Sequence, residues 1–232
     1  MSAIPGTSGE FPVVMPNPLP EQKVLRPLRQ PIYDTECLPG SGGPAIQRVD
    51  FFQRPLSQNT ASGAIPKSHA ETNLTQAGQL PNPNEFSIFG FIVEPTPDIM
   101  RGLPAAGVVT NTMTLADFIT IYEASVFEFT FTGNRVYLQI RTMQIPSGVG
   151  PTGAMATITG QTTVQASVGM VTNGVPHCRN YYPFNIGKYA LRIRSSETFG
   201  ACIRWPQAAV ASGLAVPRRI ACYIVGIMYS AI

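Results

Sequence analysis

Phenylalanine falls on every second residue of Val126-Phe127-Glu128-Phe129-Thr130-Phe131-Thr132. Successive side chains of a strand point to opposite faces, so this stretch specifies a strand with Phe127, Phe129 and Phe131 on a buried face and Glu128 and Thr130 on the other. Gly133-Asn134 reads as a turn, and residues 135–145 return with Val136, Leu138 and Ile140 on one face. A β-hairpin is therefore expected here, although Gly-Asn is a weaker turn signal than Asn-Gly. A single hairpin cannot bury both of its faces, so the rest of the chain must supply a second layer.

The downstream sequence carries the same signature. Residues 86–93 are apolar almost throughout and end at Pro95. Residues 154–171, rich in Thr and Val, read as one or two strands broken near Gly160. Residues 189–194 and 198–205 alternate, the latter with Phe199, Ala201 and Ile203 inward. The last strand, residues 218–229, is apolar on both faces: Ile220, Cys222, Ile224 and Met228 on one, Tyr223, Val225, Ile227 and Tyr229 on the other. Such a strand is covered on both sides. Thr114-Leu115-Ala116-Asp117 has the form of a helix start, with Phe118 and Tyr122 following at helical spacing; a strand over residues 118–122 is the other reading. About eight strands after residue 85, with turn residues between them, predict an all-β fold: an eight-stranded antiparallel jelly roll, a two-sheet sandwich.

The first 48 residues differ. They hold Pro5, Pro12, Pro16, Pro18, Pro20, Pro27, Pro31, Pro39 and Pro44. Proline fixes φ and removes a hydrogen-bond donor, so neither a helix nor a central strand is expected. Residues 1–48 are read as an extended, Pro-rich N-terminal arm, and residues 49–232 as one jelly-roll domain. The arm also carries Phe11, Val14, Leu19, Leu25 and Leu28, too many apolar side chains for a solvated tail, so it is expected to dock on a surface, its own or a neighbour's. Its charges balance: Lys23, Arg26, Arg29 and Arg48 against Glu10, Glu21, Asp34 and Glu36. Residues 57–85 form a second irregular stretch.

Only 12% of the 232 residues are charged, about half the share of an ordinary soluble domain. With 44% hydrophobic residues, much of the outside is expected to lie against neighbours as well. The net charge of +3 is scattered and makes no basic patch for sequence-specific nucleic-acid binding. Tyr181-Tyr182 beside Arg179 and Lys188 is the best candidate for stacking on single strands; a loop packed on a neighbour is the stronger reading. The first thirty residues lack a basic start followed by an apolar run, and residues 220–232 are too few for a membrane helix, so a chain made and kept in a cytoplasm is expected. For the same reason the sequon Asn73-Leu74-Thr75 is expected to go unused.

Motifs for chemistry are sparse. Gly148-Val149-Gly150-Pro151-Thr152-Gly153 matches a dinucleotide fingerprint, but β-type sequence follows where a helix is required. The histidines, His69 and His177, do not form a metal-ligand pattern, and Cys37, Cys178, Cys202 and Cys222 contain no C-x-x-C. Cys202 and Cys222 are expected to be buried free thiols. Glu123 and Glu128 are more simply solvated or ion-paired than a catalytic couple. No cofactor, metal or catalytic residue is expected, and the chain is not read as an enzyme.

An ordered set of short signatures points elsewhere. Asp50-Phe51-Phe52-Gln53, Thr72-Asn73-Leu74, Ala77-Gly78-Gln79-Leu80-Pro81-Asn82-Pro83 and residues 86–93 are followed later by Tyr182-Pro183-Phe184, residues 191–193, Glu197-Thr198-Phe199, Trp205-Pro206 and residues 219–229. In this order they resemble the single jelly-roll major capsid proteins of tailless icosahedral bacteriophages, across residues 49–232. The resemblance implies a structural virion protein: a capsid subunit made in the host cytoplasm that self-assembles, as trimers or pseudo-hexamers, into an icosahedral shell. A second capsid or vertex protein and an internal membrane accompany some such shells. The same fold also serves vertex (penton) and spike-base proteins, and carbohydrate-binding or cupin-like β-sandwiches form a third class. The expected subunit contacts are Phe11, Val14, Leu19, Leu25, Leu28, Tyr181, Tyr182 and Trp205.

Overall fold

The computed structural model describes residues 25–39, 45–60, 66–97, 119–132, 135–146, 151–159, 165–172, 181–184, 191–207 and 218–231. Twelve strands occur among them, all paired antiparallel. They are β1 (Leu25–Leu28), β2 (Ile32–Leu38), β3 (Arg48–Phe51), β4 (Glu85–Pro97), β5 (Val126–Phe131), β6 (Arg135–Arg141), β7 (Pro151–Thr159), β8 (Gln165–Thr172), β9 (Tyr182–Pro183), β10 (Arg192–Ile193), β11 (Phe199–Arg204) and β12 (Arg218–Ala231). The fold is all-β. A six-stranded sheet is built on the pair β12–β4, and a four-stranded sheet runs β3-β11-β5-β6. The strands β7 and β8 pair with each other, which resolves residues 154–171 into two strands.

The two larger sheets face each other across an aromatic core. The ring of Phe91, from β4, lies 5.3 Å from Phe127, 4.9 Å from Phe129 and 5.3 Å from Phe184. Phe127, Phe129 and Phe131 are buried as the alternation predicts, and so are Phe199, Ala201 and Ile203 of β11. Each buried Phe contributes about 2–3 kcal/mol by removing its apolar surface from water.

Two bulges explain where the alternation does not carry through. Opposite β12 the register slips between Val225 and Gly226, leaving Phe89 as an extra residue on β4. The slip changes the phase of β4, so Phe86 and Ile88 on one side of it, and Phe91 and Val93 on the other, all reach the core. On β6, Leu138 faces Phe129 and Val136 faces Thr130, so Tyr137 is the extra residue. Leu138 and Ile140 pack against the core, but Val136 is turned out and 49% exposed.

Residues 25–38, which the sequence places in the arm, hold two strands. Leu25–Leu28 and Ile32–Leu38 pair with β12 in one continuous register, Leu28 opposite Met228 and Ile32 opposite Ile224. Ile32 and Leu38 belong to the core. The prolines permit this because the strands lie at the sheet's edge. Tyr33 turns its backbone away from β12, donating its N–H to Asn73 Oδ1 at 3.0 Å, and Pro27 and Pro31 share its parity. Their missing donors therefore fall outside the ladder. The same logic carries β4 past its expected end at Pro95. Val93 donates to Pro146 O at 3.3 Å on the side away from β12, and Pro95 and Pro97 share that side.

Residues 119–123 form one helical turn. The expected helix start at Thr114 lies outside the described residues.

Candidate functional site

Of the expected contact residues, Phe11, Val14 and Leu19 lie outside the described residues. Leu25 sits in β1 opposite Ala231, and Leu28 is 40% exposed at the same edge. Tyr181 lays its ring over Gly90, where a Cβ would overlap it, and Tyr182 pairs with Phe91 and packs partly on the core. Trp205 is placed differently from the expectation. It is 2% exposed, and its indole N–H donates to Thr120 O at 2.7 Å. Its polar handle is satisfied within the chain, and it packs as core.

The surface presents other apolar groups. Val136, Tyr137 and Met143 are 49%, 41% and 45% exposed, all on or just after β6. That strand pairs with β5 alone among the described residues, so its far side is a sheet edge. The Tyr137 ring meets Phe131 edge-on at 5.6 Å, with the Arg135 guanidinium 5.4 Å from its centre. Period-two reading missed this cluster because the bulge at Tyr137 reverses the phase of Val136.

The outer face of the four-stranded sheet holds a concavity of about 440 Å³, lined by Arg48, Asp50, Gln53, Glu128, Thr130 and Cys202 among others. Its charges are engaged with one another. Arg204 Nη2 lies 2.6 Å from Glu128 Oε1, Gln139 donates to the same oxygen at 2.8 Å, and Arg48 pairs with Asp50 at 2.7 Å. Cys202 Sγ is 3.6 Å from Glu128 Oε2. Burial pushes this thiol up to about 12, and Glu128 and Asp50 reinforce the shift against Arg48. It is a poor nucleophile, since the thiolate is the reactive form. Burial also raises Cys222 well above its usual value.

A second polar cluster is wholly buried. Lys67 Nζ reaches Asp34 Oδ1 at 2.7 Å and Glu36 Oε1 at 2.6 Å, and all three side chains are fully buried. Asp34 Oδ2 accepts the N–H of Phe52 at 2.6 Å, and Arg54 lies 3.4 Å from Glu36. Burial pushes the Asp34 carboxyl up to about 6, opposed by Lys67 and the Phe52 N–H. Phe52 has φ 66°, a left-handed conformation costing a bulky residue about 1–3 kcal/mol unless its surroundings hold it. Here they do. Phe52 O accepts from Gly78 N at 2.6 Å, Gly78 O accepts from Phe199 N at 2.8 Å, and the Phe52 and Phe199 rings are 5.5 Å apart. Gly78 itself has φ +58°, and a Cβ there would stand 2.7 Å from Phe199 O. The cluster thus pins the irregular segment 53–80 to β2 and β3.

His69 is exposed, and its carbonyl accepts the Tyr33 hydroxyl. His177 and Cys178 lie outside the described residues. Among the described residues no group of three His, Cys, Asp or Glu side chains is placed to hold a metal ion. Of the segment 148–153, the described part opens strand β7. Comparison with protein-family models, curated proteins and solved structures finds no match.

Proposed function

We propose that this chain is a structural virion protein: a capsid subunit, built on a single jelly roll, that self-assembles into an icosahedral shell through trimers or pseudo-hexamers. The observation that carries the reading is the edge of β6, unpaired among the described residues, with Val136 and Tyr137 exposed on it and Met143 just after it, in a chain of only 12% charged residues. Large apolar groups clustered at one rim favour a protein partner. A second support comes from the signatures that resemble tailless-phage capsid proteins. Asp50-Phe51-Phe52-Gln53, Ala77-Gly78-Gln79 and Glu197-Thr198-Phe199 meet at one corner, through the Phe52–Gly78–Phe199 hydrogen bonds. A third is that the ionisable clusters bind each other, as structural ion pairs do.

The test is the mass of the native protein, by light scattering behind a sizing column. Megadalton particles, or a trimer that assembles further, support the shell; a 25 kDa species at high concentration refutes it. A vertex or spike-base protein on the same fold would differ in copy number per particle. The concavity beside Glu128 favours a carbohydrate-binding sandwich, and saturable sugar binding lost in Asp50→Ala would establish that reading instead.

A further inference from the structure

Asp34 and Glu36 lie two residues apart on β2, so their side chains leave the same face of the strand. Lys67 reaches both from the irregular segment, with Nζ 2.7 Å from Asp34 Oδ1 and 2.6 Å from Glu36 Oε1. All three side chains are closed off from solvent. As a source of stability alone the arrangement gains little, because a buried ion pair rarely outperforms apolar residues of the same volume.

The details suit a reaction better. The Lys67 amine meets one carboxyl group as a partner for condensation and a second as a base. The far oxygen of Asp34, Oδ2, accepts the N–H of Phe52 at 2.6 Å, a donor set where charge develops when a nucleophile adds to that carboxyl carbon. Phe52 makes this contact from a left-handed backbone, φ 66°, and such strained residues cluster at active sites. Both reacting residues are held by their own backbones. Lys67 donates its N–H to Gln58 O at 2.8 Å and accepts from Ser57 N at 2.9 Å, while Asp34 sits in the ladder opposite Cys222.

We infer that Lys67 and Asp34 condense after folding into an intramolecular amide, an isopeptide bond, with Glu36 as the proton carrier. The ion pair and the neutral amine–acid pair hold the same number of protons, so one transfer along the 2.7 Å contact makes the reactive form. Burial, which pushes the Asp34 carboxyl up to about 6, favours that protonated acid. The Nζ lone pair adds to Asp34 Cγ, and the carbonyl electrons move onto Oδ2 beside the Phe52 N–H. Glu36 takes a proton from Nζ and delivers it to the Oδ1 hydroxyl. The Cγ–Oδ1 bond breaks, water leaves, and Oδ2 remains as the amide oxygen. Glu36 ends as the carboxylate it began as, its charge offset by Arg54 at 3.4 Å.

A free acid and amine in water run towards hydrolysis. Reactants held in place gain an effective concentration of about 10⁵ M or more, and a dry site gives the reverse reaction no water. The bond joins sites 33 residues apart and makes the tie between β2 and the 53–80 segment covalent. It does not depend on the shell reading.

The test is the intact mass of the full chain in denaturant. The wild-type chain should fall one water below the mass its sequence gives, and tandem mass spectrometry of a digest should show a branched peptide joining Asp34 to Lys67. Lys67→Arg keeps the cation but cannot close the amide, and should keep its sequence mass. Glu36→Gln should slow linkage about a hundredfold or more, read as mass against time after cell-free synthesis. Circular-dichroism melting checks that each variant is folded, and the wild-type mass decides the matter even where one is not. A wild-type chain that keeps its sequence mass after long incubation in the folded state overturns the bond. So does a water loss that persists in Lys67→Arg, since it places the dehydration elsewhere. A folded Glu36→Gln that links at the wild-type rate overturns Glu36 as the proton carrier.

Discussion

Replacing Lys67 with Met tests whether the buried ionic cluster is what holds the 53–80 segment in place. Methionine keeps the length of the side chain but removes the ammonium, leaving Asp34 and Glu36 buried together without the group 2.7 and 2.6 Å away that neutralises them. Breaking a buried pair by removing one partner costs about 3–5 kcal/mol, mostly for the stranded charge. For a domain of this size that lowers the melting temperature by about 10 °C. The pH dependence separates this mechanism from mere loss of packing. In the native chain the Asp34 carboxyl lies at about 6, above its ordinary 3.8. A raised carboxyl takes up a proton on folding, so its contribution to stability is full below pH 4 and is lost as pH rises through 6. Without Lys67 the carboxyl rises further. The penalty should therefore be greatest near pH 8 and smaller near pH 5, as read by urea unfolding at the two pH values. A loss below about 1 kcal/mol at pH 8, or one independent of pH, would refute the argument.

Three further outcomes are expected. Gly226→Ala should cost more than about 2 kcal/mol in denaturant unfolding, because the added Cβ overlaps the Ser87 carbonyl and the Phe86 ring, and the backbone member cannot move aside. Cys37, Cys202 and Cys222 are buried, so a thiol reagent at pH 8 should leave all three unmodified in the folded chain and label them in denaturant, as peptide mass mapping would show. Trp205→Ala should destabilise the folded chain by about 3–5 kcal/mol, whereas Tyr137→Ser should leave its melting temperature nearly unchanged and weaken the self-association proposed above.

Much of the sandwich was legible because alternation needs no knowledge of partners. The Phe127-Phe129-Phe131 face and the Phe199-Ala201-Ile203 face follow from period two alone. The two bulges were not legible, since one extra residue changes the phase and nothing in residue type announces it. That is why residues 86–93 read as uniformly apolar, and why Val136 was placed with Leu138 and Ile140. Strands β1 and β2 were hidden by proline, which excludes a central strand but admits an edge one when the prolines share a parity. The buried Lys67 was beyond reach, because a lysine in an irregular stretch reads as a solvated charge until Asp34 and Glu36 are brought to it from more than thirty residues away. Among the contact residues, aromatic type alone could not separate Trp205, which is core, from Tyr137, which is exposed.

The placement of β12 has a consequence for how the chain is made. This strand lies between β4 on one side and the β1/β2 edge on the other, yet it is translated after both. While a ribosome is still short of Arg218, the six-stranded sheet lacks its centre, and β2 and β4 hold edges that no earlier strand among the described residues is placed to cover. Closure waits for the last strand, and its pairings with β2 span most of the sequence, the kind of long-range contact that forms slowly. A nascent chain in that state exposes apolar strands for the longest part of its synthesis. Interruption of translation before residue 218 should thus yield aggregates or chaperone-bound chains, whereas addition of β12 closes the sheet in a single late step.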